Sequence, residues 1–141
     1  MKEIRSQVAG PERLIEEEAW SDDCDCLHPA AVMAARKALS ETPPEDLAAT
    51  FAVLGDPTRM RVLVALESAE LCVTDLAVAT GVNRTTISHQ LRVLRQHRLV
   101  RRRRAGKVVY YALDDDHVRS LVRLTAQHVS EDPGLVERAS A

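Results

Sequence analysis

The sequence predicts a mainly α-helical domain carrying one β-hairpin wing, on three observations. Only 3% of the 141 residues are aromatic although 45% are hydrophobic, so the core must be built from Leu, Val, Ala and Ile, as in a small helical domain. Two short helical stretches meet at Gly81-Val82-Asn83, the form of a helix-turn-helix. Directly after them, Val100 to Leu113 switches to a strand-like pattern broken at Ala105-Gly106. The length allows one domain plus tails: an acidic, flexible arm over 1–28, the domain over 29–132, and an expected disordered tail over 133–141.

Taken in order, the arm lacks sustained periodicity but ends in Cys24-Asp25-Cys26-Leu27-His28. A Cys-x-Cys pair is too tight for a relaxed internal disulfide, yet two thiols and an imidazole in five residues suit chelation by a flexible segment. Three cysteines, an odd number, without an export signal's apolar run, predict free thiols in a cytoplasmic protein. No run approaches a membrane span.

Pro29 to Leu39 is expected to form the first helix, and Thr42-Pro43-Pro44-Glu45 has the form of a capping box opening the second. Leu47, Phe51 and Leu54 follow at helical spacing as its buried side. Gly55 closes that helix, Asp56 caps the next and Pro57 opens it, with Met60, Val62, Leu63 and Leu66 as core. Cys72 then stands at a cap position where Ser or Thr is usual, before a helix ending at Thr80. Asn83 caps a helix from Arg84 to about His97, with Ile87, Leu91 and Leu94 inward. Its outward face carries Arg84, Thr85, Ser88, His89, Arg92 and Arg95, all hydrogen-bond donors, and reads as a recognition helix for the major groove.

Charge is partitioned along the chain. Residues 1–50 hold five basic and eleven acidic side chains, whereas 81–113 hold nine Arg or Lys and no Asp or Glu. A segment of one sign predicts a polyanion partner, double-stranded DNA. In the wing, Val100 to Arg104 and Lys107 to Leu113 are the expected strands, with the turn at Ala105-Gly106. Arg101 to Arg104 alternate across their strand, so only some can face DNA. Arg102, Arg104 and Lys107 are assigned that role, giving salt-sensitive phosphate binding while the helix reads bases.

The last helix, from Asp114 to Glu131, carries the second signal. At about 100° per residue, His117, Leu121, Leu124, His128 and Glu131 share one narrow face, with Asp115 at the amino-terminal turn. His117 and His128 are eleven residues apart, about 16 Å along the helix at roughly 1.5 Å per residue, too far for one ion. Two such helices packed antiparallel about a two-fold axis would join Asp115 and His117 of one copy to His128 and Glu131 of the other. The spacing therefore predicts a homodimer with two equivalent sites. Two imidazoles and two carboxylates in a tetrahedral set suit zinc or cobalt. A closed four-ligand site without a separate base or nucleophile disfavours an enzyme, leaving a metal-dependent hydrolase as a distant alternative; a constitutive architectural DNA binder is another.

These residues resemble the ArsR/SmtB family of metal-sensing winged helix-turn-helix repressors, and within it the SmtB-like zinc sensors. The resemblance covers roughly 45–132 through Phe51-Ala52-Val53-Leu54-Gly55-Asp56-Pro57-Thr58-Arg59, Glu70-Leu71-Cys72-Val73-Thr74-Asp75-Leu76, Ser88-His89-Gln90-Leu91 and Gly106-Lys107-Val108-Val109-Tyr110-Tyr111. It implies a homodimer that represses by holding operator DNA without metal and is released by zinc, with cadmium and lead as further inducers. Asp115, His117, His128 and Glu131 fall where zinc sensors of the family carry their last-helix ligands. It also implies an alternative thiol site of Cys24, Cys26, His28 and Cys72 that senses cadmium, lead or arsenite. Thr74 stands where the cadmium/lead and arsenic sensors have a second cysteine, which departs from an arsenic site built within that helix alone. By the same resemblance, His128 couples the metal to DNA by donating to the carbonyl of Arg98, beside Leu99.

Overall fold

The computed structural model describes residues 27–132, 134, 137 and 138. Most of the acidic arm, including Cys24 and Cys26, lies outside the described residues. The chain divides into two compact units, Met1–Ala48 and Ala49–Ala141. Described residues of the first form α1 (Pro29–Glu41) and the beginning of α2 (Pro44–Leu54). Pro29 occupies the first turn of α1, where its missing N–H costs nothing, and His28 is the N-cap without a side-chain capping bond. The capping box expected at Thr42 does not form. Thr42 instead closes α1, its N–H donating to the Ala38 carbonyl, and α2 starts after Pro43, whose carbonyl accepts from Leu47. Two successive prolines force this, because neither can donate to a preceding carbonyl.

The second unit continues with α3 (Pro57–Ser68), β1 (Leu71–Cys72), α4 (Val73–Thr80), α5 (Arg84–Gln96), β2 (Val100–Ala105), β3 (Val108–Leu113) and α6 (Asp116–Glu131). Its core is aliphatic: Val62, Leu63 and Leu66 of α3, Leu76 of α4 and Ile87, Leu91 and Leu94 of α5 are almost wholly excluded from solvent. Each such side chain contributes about 1.5–3 kcal/mol of transfer free energy. Of α2, only Val53 and Leu54 join this core. Leu47 and Phe51, expected there, are 48% and 57% exposed. Burial is confined to the last turn of α2, so helical spacing placed Leu47 and Phe51 on the face of buried Leu54 without showing how far along the helix that face is covered.

Local chemistry fixes most element boundaries. The Asp56 carboxylate accepts from Arg59 N–H at 2.9 Å and Pro57 opens α3. The Asn83 side chain accepts from Thr86 N–H at 2.9 Å. Between α4 and α5, Gly81 adopts φ 71°, a left-handed turn that glycine enters without steric cost. The hairpin turn is centred one residue later than expected, on Gly106 (φ 62°) and Lys107, because Ala105 pairs with Val108. The wing is also larger than a hairpin. Leu71 and Cys72 pair antiparallel with Tyr111 and Tyr110, giving a three-stranded sheet of order β1-β3-β2. Within the expected tail, Gly134, Glu137 and Arg138 have helical backbone, and Arg138 Nη2 donates to Asp132 at 2.7 Å.

Candidate metal-binding seam and nucleic-acid interface

Asp115 sits just before α6 in extended backbone, and its Oδ1 accepts the Val118 N–H at 3.0 Å, the N-cap bond that starts the helix. That bond leaves Oδ2 directed along the helix surface, 3.5 Å from His117 Nδ1. The Val118 N–H holds the Asp115 carboxyl below its usual range; partial desolvation opposes this and His117 adds to it. His117 is 97% exposed. At the far end, His128 and Glu131 are exposed, and the Glu131 carboxylate accepts from Gln127 Nε2 at 2.9 Å. Between them, Leu121 is half-buried and Leu124 is 64% exposed. Only Val118 and Val122 of α6 are buried, on a side roughly 120° from this seam. The structure thus brings Asp115 and His117 together and keeps His128 and Glu131 apart from them. Among the described residues, no three His, Cys, Asp or Glu side chains of one copy gather into a set able to hold a metal ion.

Cys72, the one described cysteine, is half-buried at the N-cap of α4, and its thiol makes no capping bond. His28 is exposed at the start of α1.

In α5, Arg84, Thr85, Ser88, His89, Arg92 and Arg95 are all exposed, opposite buried Ile87, Leu91 and Leu94. The helix ends in a Schellman arrangement: Leu99 N–H donates to Leu94 and Arg98 N–H to Arg95, with Arg98 at φ 54°. A side chain in this left-handed conformation is strained, and glycine or asparagine is the usual occupant. Leu99 O then accepts from Asp114 N–H at 3.1 Å, joining the end of the recognition helix to the residue before Asp115. Arg98 and Leu99 therefore lie where α5, the wing and the start of α6 meet.

Strand pairing sorts the four wing arginines. Arg103 lies opposite Tyr110, stacks over its ring at 4.8 Å and donates to Glu70 at 2.6 Å. Arg101 shares that face of the sheet. Arg102 and Arg104 share the other face with Val100, which packs into the helical core. Lys107 is exposed in the turn. Two groups escaped the sequence reading. One is the Glu70–Arg103–Tyr110 strut. The other is Glu67, which binds Arg119 and Arg123 of α6. The basic pair at i and i+4 was the available signal, but its acceptor lies more than fifty residues away.

Among the described residues, no helix is long and apolar enough to cross a membrane. The profile of the bacterial regulatory protein, arsR family, matches residues 56–102, from the cap of α3 into the wing. The chain is 49% identical over 87 residues to a transcriptional repressor SmtB homolog of Synechocystis sp., covering 62% of this chain and 66% of that protein. It is 39% identical over 106 residues to a cadmium resistance transcriptional regulatory protein CadC homolog of Staphylococcus aureus, covering 74% of this chain and 88% of that one. The solved homodimeric winged helix-turn-helix DNA-binding domain from Mycobacterium bovis superposes with a TM-score of 0.60 at 30% identity, over 66% of this chain and 86% of that one. These likenesses are to DNA-binding regulators and not to enzymes, and they agree with the helix-turn-helix, the basic wing and the aliphatic core. The chain belongs to the ArsR/SmtB family of metal-sensing winged helix-turn-helix transcriptional regulators.

Proposed function

We propose that the protein is a homodimeric repressor that holds operator DNA in its metal-free form and releases it on binding zinc. The observation that carries this reading is the α6 seam. An oriented Asp115–His117 pair stands at one end, His128 and Glu131 at the other, and an exposed Leu124 lies between. The donor chemistry fits: two neutral imidazoles and two carboxylates per site suit a tetrahedral borderline ion. Asp115 caps α6 with one oxygen and offers the other as ligand, so folding of the helix itself pre-orients half of the site. A bound ion there supplies a cross-link between the last helices of the two copies. Burying Leu124 against the same helix of a second copy supplies the apolar part of the seam.

On the DNA side, the six exposed polar residues of α5 read base edges and phosphates, and Arg102, Arg104 and Lys107 bind phosphate. The link between sites runs through Arg98 and Leu99. His128, when its other nitrogen is a ligand, donates its ring N–H to the Arg98 carbonyl. The existing Leu99–Asp114 bond supports this route, since it already ties the end of the reading helix to the metal helix. Because binding linkage is reciprocal, operator DNA weakens zinc affinity by the same factor that zinc weakens DNA affinity.

The test is anisotropy of a labelled fragment from upstream of the gene, titrated with metal-free protein, then zinc, then chelator, at constant salt. Release by zinc and recovery by chelator is the expected outcome. Equal DNA binding with and without zinc sinks the zinc reading. His128→Gln is expected to retain some zinc binding while losing release.

A second reading has its own support. Cys72, whose thiol makes no capping bond, stands with Cys24, Cys26 and His28 as the sulfur-rich ligand set that the family resemblance implies for cadmium, lead or arsenite, and a relative is a cadmium resistance regulator homolog. Cadmium then gives sulfur-to-metal charge-transfer absorption that Cys72→Ser weakens and Asp115→Ala leaves intact.

A further inference from the structure

Helix α6 has a third face besides its seam and its buried side. Arg119 and Arg123, one turn apart, lie roughly opposite the seam and reach the last turn of α3. Arg119 Nη1 donates to the Glu67 main-chain carbonyl at 2.7 Å, one of the carbonyls a helix end leaves without an intrahelical partner. Arg123 Nε donates to the Glu67 carboxylate at 2.5 Å, and Arg119 lies 3.6 Å from the same carboxylate. Glu67 thus grips α6 with both main chain and side chain, and its side chain is mostly shielded from solvent.

The residues immediately after Glu67 make this grip consequential. Three positions on, the Glu70 carboxylate binds Arg103 of the wing, and Leu71–Cys72 then pair with β3 before α4 starts the helix-turn-helix. Residues 67–70 therefore form a short strap held to the metal helix at one end and to the DNA-contacting wing at the other. As surface ion pairs these bonds contribute little stability. Their geometry matters more, because a shift of α6 along or about its axis pulls on the strap through two arginines at once.

We propose that Glu67 is a positioning residue for regulation: it transmits movement of α6 to the helix-turn-helix and wing, in parallel with the Arg98–Leu99 junction. This rests on the reading of the α6 seam as the zinc site. Neither Glu67 nor Arg123 belongs to the proposed zinc ligands or DNA-contacting residues, so basal binding of each partner should survive their loss while communication between them does not.

The experiment measures three quantities for the full-length wild type, Glu67→Ala, Arg123→Gln and the double variant. They are zinc affinity without DNA by chelator competition, DNA affinity without zinc, and the factor by which zinc weakens DNA binding. The expected result is that the first two stay within about twofold of wild type while the zinc factor shrinks by roughly 3- to 30-fold. The double variant should lose no more than either single one, since both open the same clamp. Arg123 is well exposed, so Arg123→Gln keeps the test valid if Glu67→Ala folds poorly. An unchanged zinc factor in both single variants, or weaker DNA binding in both states with the factor preserved, overturns the proposal. A wild type whose DNA binding ignores zinc overturns the seam reading, and this inference with it.

Discussion

Helices α5 and α6 are both strongly amphipathic, yet they are finished to different degrees. In α5, Ile87, Leu91 and Leu94 are essentially sealed from water and the opposite face is uniformly polar. In α6 only Val118 and Val122 are buried, while Leu124, on the face shared by His117 and His128, stays exposed. A reading helix must be rigid in one copy, because its polar face meets DNA directly. In the proposed seam, α6 can leave Leu124 open because a second copy of the chain would cover it. An apolar residue on a helix therefore carries different information according to which side of that helix is already closed.

The sharpest way to break this contrast is to change one residue in each helix. Leu91→Ala is expected to lose about 2–5 kcal/mol in urea unfolding. Leu124→Glu leaves the intrinsic stability of one copy within about 0.5 kcal/mol but abolishes the rise of the unfolding midpoint with protein concentration that a dimer shows. If Leu124→Glu remains a dimer by sedimentation, α6 is not the seam. A smaller effect separates the two duties of Asp115. Asp115→Ala is expected to lower stability with the loss of the cap, whereas Asp115→Asn, a good capping residue, keeps nearly all of it. Both abolish zinc-dependent DNA release, and a zinc response preserved in Asp115→Asn removes Asp115 from the ligand set. Acid acts on the same bond. A depressed carboxyl stabilises the fold above its unfolded value, so the cap's contribution is lost as pH falls through the lowered folded value, and the amino-terminal turn of α6 frays there. The smallest effect belongs to the end of α5. Arg98→Gly relieves left-handed strain and is expected to raise stability by about 0.5 kcal/mol, the strain of roughly 1–2 kcal/mol being offset in part by unfolded-chain entropy. A fall in stability would mean that the Arg98 side chain, not its backbone, holds that junction.

Much of the fold was legible because short-range chemistry sets it. Asp56 before Pro57 and Gly81 followed by Asn83 each mark a boundary through a bond within a few residues, whereas α6, expected from Asp114, starts at Asp116 because Asp115 of the three successive aspartates makes the cap. The inward rows of α3 and α5 were legible from spacing. Strand β1 was not, since two residues show no alternation and exist as a strand only because Tyr110 and Tyr111 lie beside them. Leu47 and Phe51 were misplaced because spacing identifies a face without saying what covers it. The left-handed turn at Arg98 carried no glycine or asparagine to announce it. Of the candidate sites, the pairing of Asp115 with His117 was readable from one helix. The sorting of the wing arginines and the grip of Glu67 depend on partners distant in sequence, which no local pattern encodes.

The strut from Arg103 to Glu70 and Tyr110 has a thermodynamic signature of its own. An arginine that neutralises a DNA phosphate displaces condensed cations from the duplex, contributing about 0.9 to the slope of log affinity against log salt. Arg103 is already neutralised by a carboxylate of its own chain, so it displaces none. Counted as charge, the wing strand has four arginines; counted as ion exchangers, it has at most three. Releasing Arg103 with Glu70→Gln should therefore steepen the salt dependence of DNA binding by up to about one unit per wing, the freed guanidinium adding a point of cation exchange from the sheet face opposite Arg102 and Arg104.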